Sequence, residues 1–249
     1  MADLKLGLAQ GYWGAAPNPN FVEMAQEAEK LGYDSVWSAE AWGNDAFTPL
    51  AWIGAQTEKI KLGTAVVQLS GRTPASCAMH ALTLDYLSNG RLILGLGVSG
   101  PQVVEGWYGR PFPKPLARTR EYIDIIRQVL ARQAPVTNSG PHYPLPYDGD
   151  DGMALGKPLK PIVHPLRSDI PIYMGAEGPK NIALSTEIAD GWLPLFYNPY
   201  DESVYAESLK GAKPDFDIAQ MVSVNITDDI PAGLLGVKHF LALYVGGMG

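Results

Sequence analysis

Apolar and polar positions along this chain alternate between two periods. Leu4 to Ala9 is a short apolar run and predicts a first strand. Phe21, Met24, Ala25, Ala28 and Leu31 fall at helical spacing, with Asn20 as the expected cap and Gly32 as the stop. Ser35 to Ser38 predicts a second strand and Phe47 to Gln56 a second helix. Ile60 to Leu69 is rich in β-formers and predicts a third strand. Pro74 to Leu87 predicts a helix capped by Thr73, with Pro at its first position. Arg91 to Gly97 predicts a fourth, buried strand. Arg118 to Arg132 predicts an amphipathic helix whose apolar face is Tyr122, Ile125, Ile126 and Val129.

Regularity fails between Gln133 and Lys160, where Pro, Gly, His and Tyr cluster. Loops with one short hairpin are expected there. The alternation then resumes. Ile170 to Met174 predicts a strand, Asn181 to Ala189 a helix, and Gly191 to Pro194 a strand. A helix near Tyr200 to Leu209, a seventh strand at Gln220 to Asn225 and an apolar helix at Leu234 to Tyr244 follow. Repeated strand–helix units imply a parallel sheet with helices outside. The expected fold is a single α/β domain over 1–249, a (β/α)₈ barrel that lacks its last unit, with a loop insertion at about 133–160.

Composition narrows the function. A net charge of -7 argues against general nucleic-acid binding. The single Cys77 cannot form an intramolecular disulfide, so a reducing, cytoplasmic setting is expected, and packing is the expected role of that thiol. No signal peptide and no membrane span are read. His80, His142, His164 and His239 lack metal-ligand spacing, so no metal site is expected.

The segment Gly175 to Asn181, GAEGPKN, carries the most chemistry. It joins a buried strand to a helix N-terminus, where free N–H groups and the helix dipole favour an anion. Gly175 and Gly178 let a ligand approach the backbone, and Lys180 adds a positive charge. A phosphate-bearing cofactor is one reading; an ordinary barrel loop is the other. Gly95, Gly97 and Gly100 match a dinucleotide fingerprint in spacing, but no acidic residue ends a second strand about 20 positions on.

Five ordered segments together resemble the luciferase-like monooxygenase superfamily. They are LGYDSVWSAEAWGNDAFTPLAW, EKIKLGTAVVQLSGRTP, SNGRLILGLGVSGPQVVEGWYGRPF, LARTREYIDIIR and IPIYMGAEGPKNIALSTEIADGWLP. The nearest branch is the oxidoreductases that use the deazaflavin coenzyme F420. The resemblance implies a TIM barrel with the coenzyme at the C-terminal strand ends, a small organic substrate and a homodimer. It implies a non-prolyl cis peptide at Ala65–Val66, whose bulge would bend the flavin ring. It implies that Gly178, Lys180 and Asn181 bind the coenzyme phosphate, with Ala176 or Glu177 as backbone contacts and Gly175 and Pro179 in the same loop. Ser99, Gly100 and Pro101 would border the ring or its ribityl chain.

Glu40 stands at the end of the second strand. The related deazaflavin sugar-phosphate dehydrogenase carries an Asp followed by a catalytic His there, and this chain reads Glu40-Ala41. That relative's acidic residue after the fourth strand is also absent near Ser99-Gly100, so sugar oxidation by that mechanism is not expected. Glu40 remains the expected catalytic residue, walled by Trp37 and Trp42 and so raised in pKa. Gln10, Tyr12, Trp13 and Trp42 are the expected substrate pocket. Trp107, Tyr108 and Phe112 form either a substrate wall or a packed insertion. Arg120, near a helix N-terminus, should point to a partner carboxylate. The expected function is F420-dependent hydride transfer; the alternatives are an FMN-dependent monooxygenase and a non-catalytic flavin-binding protein.

Overall fold

The computed structural model describes residues 4–247 of the chain. Its centre is one curled parallel sheet. The strands are β1 (Gly7–Ala9), β2 (Ser35–Ser38), β3 (Lys61–Thr64), β4 (Val67–Gln68), β5 (Leu92–Gly97), β6 (Ile172–Gly175), β7 (Gly191–Leu193) and β8 (Asp217–Ile218). The order is β1-β2-β3-β5-β6-β7-β8, with β4 also paired to β5. Among the described residues, β1 and β8 stand at the two edges and do not pair.

β3 and β4 are one barrel strand interrupted at Ala65–Val66, whose peptide is cis. Leu62 and Gly63 pair with Leu92 and Ile93 below the break, and Val67 and Gln68 pair with Leu96 and Gly97 above it. Counted this way the sheet has the seven strand positions the alternation predicts. The seventh lies at Asp217–Ile218, not at Gln220 to Asn225. Residues 220–225 have strand-like alternation but no neighbouring strand; Val222 and Val224 are exposed. Alternation alone does not make a strand when no partner satisfies its N–H and C=O groups. The first strand is shorter than expected, with Leu4 and Leu6 exposed beside the sheet edge.

The helices are α1 (Phe21–Lys30), α2 (Phe47–Gly54), α3 (Pro74–Leu87), α4 (Pro101–Gly106), α5 (Pro115–Ala131), α6 (Pro179–Ile188), α7 (Ser203–Leu209) and α8 (Ile230–Ala242). Thr73 caps α3 by accepting from the Ser76 N–H at 3.3 Å. Asn20 makes no such side-chain bond at α1. Asn18 instead accepts from the Asn20 N–H at 3.0 Å and turns the chain into the helix. α5 buries Tyr122, Ile125, Ile126 and Val129 as its periodicity requires. α4 is an element that the sequence pattern did not reveal. It is six residues long, too short for helical periodicity to register.

One apolar cluster joins the inner faces of α1, α2, α3 and α5 to strands β2 to β6. Cys77 is part of it and fully buried. Between α5 and β6 the insertion holds a single antiparallel bridge, Asn138 to Leu145, so the expected hairpin is a minimal one. α8 follows the exposed stretch 221–229 and buries no residue, although its sequence is largely apolar. Phe240 and Tyr244 lean on Phe196, and the Tyr244 hydroxyl meets that of Tyr12 at 3.0 Å. No helix among the described residues is long and apolar enough to cross a membrane.

Candidate functional site

All strands are parallel, so their C-terminal ends open on one rim. That rim is where barrels place chemistry, because the loops there vary while the sheet holds them. Two charged corners stand on it. One follows β2 and β4, and the other follows β6.

The first corner is built around Glu40, which is buried. Its two carboxylate oxygens each accept from Arg72 Nη1 at 2.8 Å. They also accept from the backbone N–H of Ala46 at 3.2 Å and of Gln68 at 3.3 Å. Asp45 lies 3.8 Å from Arg72 Nη2 and caps α2 by accepting from the N–H groups of Phe47 and Thr48. The Arg72 guanidinium rests over the Phe47 ring at 5.3 Å. Burial and then the Glu40 carboxylate hold the neighbouring Tyr108 phenol above its ordinary pKa. Glu40, Ala41, Asn44, Asp45, Arg72 and Tyr108 line much of a cavity of about 230 Å³.

This corner corrects the expected setting of Glu40. Trp37 and Trp42 do not line the cavity beside the carboxyl; Trp107 does. Trp37 fills the barrel interior, bonded to Ser35 Oγ at 2.8 Å and tilted against Tyr173, while Trp42 is 49% exposed. Glu40 is an ion-paired carboxylate with four hydrogen bonds, which fix it in place. Sequence reading gave no role to Arg72 or Gln68. A signal for Arg72 was present: a carboxylate at the end of an apolar strand needs a counter-charge, and GRTP follows the next strand.

The second corner is the GAEGPKN loop. Gly178 is the N-cap of α6, extended at φ −80° and ψ 147°, and no side chain caps that helix. Pro179 begins it, so its first turn presents the Lys180 N–H without an intrahelical acceptor. Lys180 is exposed and makes no ion pair among the described residues. The Asn181 side-chain oxygen is buried with no hydrogen-bond partner. Glu177 turns away from this opening: its carboxylate accepts from the Leu195 N–H at 2.7 Å and ties the loop to the segment after β7.

Val66 links the corners. Its side chain projects across the rim toward the ends of β5 and β6, into space that glycines leave open. A Cβ on Gly97 would lie 2.5 Å from Val66 Cγ2, and one on Gly175 would lie 3.2 Å from Val66 Cγ1. Below it, a Cβ on Gly95 would strike the Thr64 carbonyl at 1.8 Å, while Thr64 Oγ1 bonds both Gly95 N and Gly95 O at 2.8 Å. Gly95 and Gly97, two of the three glycines that resemble a dinucleotide fingerprint, therefore serve the sheet: they admit the bulge of the neighbouring strand.

The remaining expected residues are spread around the same rim. Gln10 donates to the Phe21 carbonyl at 2.9 Å, and Trp13 packs on Phe21 while its backbone N–H donates to Asn44 Oδ1 at 3.2 Å. Ser99 takes the left-handed conformation at φ 59°, and Gly100 starts α4. Arg120 forms a two-pronged pair with Glu187 at 2.6 Å, the carboxylate partner its position called for, and joins α5 to α6. His80 bonds the Ser76 carbonyl within its own helix. No cluster of His, Cys, Asp and Glu among the described residues has the shape of a metal site.

The comparison with known proteins decides the family. The luciferase-like monooxygenase family model matches residues 7–241. This chain belongs to that family. A protein of Mycobacterium tuberculosis with the provisional name coenzyme F420-dependent oxidoreductase is 61% identical over 257 aligned residues, covering 100% of this chain and 74% of the relative. The 5,10-methylenetetrahydromethanopterin reductase of Archaeoglobus fulgidus is 30% identical over 88% of this chain. The chain spans 64% of that relative's length. Among solved structures, the coenzyme F420 dependent tetrahydromethanopterin reductase of Methanopyrus kandleri superposes with a TM-score of 0.81 at 26% identity, over all of this chain and 74% of its own. The barrel with an unclosed sheet is thus the luciferase-like fold, and the cis Ala65–Val66 peptide stands where the resemblance places one.

Proposed function

We propose that this family member is an oxidoreductase that uses coenzyme F420 and passes hydride between it and a small organic substrate. The observation that carries the reading is the continuity of the rim from Val66 to the uncapped start of α6, through contact with Gly175. An apolar side chain at Val66 next to a helix end with free N–H groups suits a ring that carries a phosphate tail. The residues fit on chemical grounds: open space over Gly178, where a Cβ would meet nothing within 4 Å, and a Lys180 without an ion pair among the described residues. The similarity to F420-dependent relatives supports the choice of coenzyme.

Bound coenzyme supplies the hydride chemistry; the chain supplies placement. Gly178, Lys180 and Asn181 would hold the phosphate, with Ala176 and Pro179 shaping the loop. Val66 would support the ring, with Ser99 and Gly100 at its border. Gln10, Tyr12, Trp13 and Trp42 would face the substrate. Glu40 is a positioning group in this reading, because its oxygens already accept from Arg72, Ala46 and Gln68.

A homodimer in the cytoplasm belongs to the same reading. Trp52, Met79, Tyr86 and Leu87 are exposed on the adjacent helices α2 and α3, an apolar face of the kind that subunits cover. Light scattering on the purified protein tests that part; a monomer at micromolar concentration removes it. The coenzyme is tested by fluorescence quenching with oxidised F420 and, separately, with FMN. Micromolar F420 binding with weak FMN binding is expected. Preference for FMN would replace the proposal with an oxygen-using monooxygenase.

A further inference from the structure

The Glu40 corner is closed at its carboxylate and open along one edge of its arginine. Both hydrogen bonds from Arg72 to Glu40 leave from Nη1. Nη2 stands 3.8 Å from Asp45, and neither Nη2 nor Nε makes a hydrogen bond among the described residues. Phe47 covers one face of the guanidinium, so a ligand would meet it along its edge. That edge is within reach: 15% of the Arg72 side chain is accessible, and the residue lines the cavity of about 230 Å³.

Tyr108 lines the same cavity. Its ring lies against Gly71, where a Cβ would come within 3.2 Å of the ring and of the hydroxyl. The hydroxyl is near the Glu40 carboxylate but not in hydrogen-bonding geometry with it, and burial together with that carboxylate keeps the phenol protonated. A protonated phenol is a donor, as is every N–H of the arginine. Trp107 supplies an exposed aromatic wall beside them. The cavity is smaller than the roughly 300–1,000 Å³ of a pocket for a whole ligand, so it suits one end of a small molecule.

We propose that the free edge of Arg72 and the Tyr108 hydroxyl bind the carbonyl oxygen of a small uncharged carbonyl compound, with Trp107 along its apolar part, and that such compounds are the substrate class of this rim. An oxygen acceptor is what two donors select. The charges decide against the alternatives. Glu40 and Asp45 outnumber Arg72, so a carboxylate meets like charge, and an ammonium group brings only donors to the donor edge. The class rests on the coenzyme reading above. A carbonyl carbon accepts the hydride of the reduced deazaflavin, and the oxygen takes its proton from water at the open mouth of the cavity.

The test is saturation-transfer NMR on the protein without coenzyme, with acetophenone, benzoate, benzylammonium and α-methylstyrene, the last a match to acetophenone with CH₂ in place of the oxygen. Acetophenone should bind about tenfold more tightly than each of the other three. Tyr108→Phe should weaken acetophenone by up to about tenfold and leave α-methylstyrene unchanged, a coupling that loss of packing would not produce. Equal loss for both compounds, or no loss for either, overturns the role of Tyr108. Benzoate or benzylammonium binding as well as acetophenone overturns the substrate class. Should Tyr108→Phe not fold, the ranking of the four compounds on the natural protein decides. Fluorescence quenching with F420 is read separately: acetophenone binding as expected with no F420 binding removes the coenzyme reading and leaves the carbonyl subsite.

Discussion

The two charged corners of the rim contain similar residue types and are built in opposite ways. At Glu40 the acid, Arg72 and the flanking backbone satisfy each other almost completely. At α6 the helix end, Lys180 and the Asn181 side-chain oxygen are left without partners among the described residues. Charge by itself does not mark a binding group. A saturated cluster stabilises the frame, whereas an unsaturated one has interactions left for a ligand. The two corners should therefore respond differently to mutation.

The largest effect is expected at the saturated corner. Arg72→Met leaves Glu40 buried without its counter-charge and should cost about 3–5 kcal/mol of stability. Urea unfolding checks it, and a loss under about 1 kcal/mol would show that the pair is dispensable. Lys180→Ala is the converse case. It should weaken F420 binding by roughly 1–3 kcal/mol while leaving the urea midpoint unchanged. An unaltered dissociation constant would remove Lys180 from the site.

Cys77 reports on the ground beneath the saturated corner. Burial is the main cause that pushes its thiol up to about 12, with Arg72 pulling the other way. The folded state therefore favours the neutral thiol over the thiolate. Its contribution is complete below the unfolded thiol's ordinary value and falls away as pH rises from there through the folded value. Native protein should resist a thiol reagent at pH 8 and react fully in urea; rapid native labelling would mean that the corner opens. The smallest effect is expected from Arg120→Ala. Arg120 and Glu187 form a well-aligned pair, but both are half exposed, so its loss should cost about 0–1 kcal/mol. A larger cost would blur the contrast between buried and exposed pairs.

The legible parts of the fold were those with a strong local signal. α5 shows its buried face in its own periodicity, and α3 announces its start with Thr73-Pro74. The GAEGPKN loop was readable because glycine, proline and a helix start are adjacent in sequence. The misplaced seventh strand was illegible because alternation at 220–225 is identical whether or not a neighbour is present. Glu40 was placed correctly at its strand end and given the wrong surroundings. Its counter-charge lies 32 positions away, beyond one full strand–helix unit.

The order of elements, the parallel sheet and the phosphate-loop candidate were thus determined by the sequence itself, because each depends on residues within one turn or one strand. The partners of Glu40, the unsatisfied buried side-chain oxygens of Gln68 and Asn181, and the space for Val66 between Gly97 and Gly175 were decided only by the tertiary structure. Whether a polar group is satisfied depends on which other strand ends reach it, and no local pattern contains that distance.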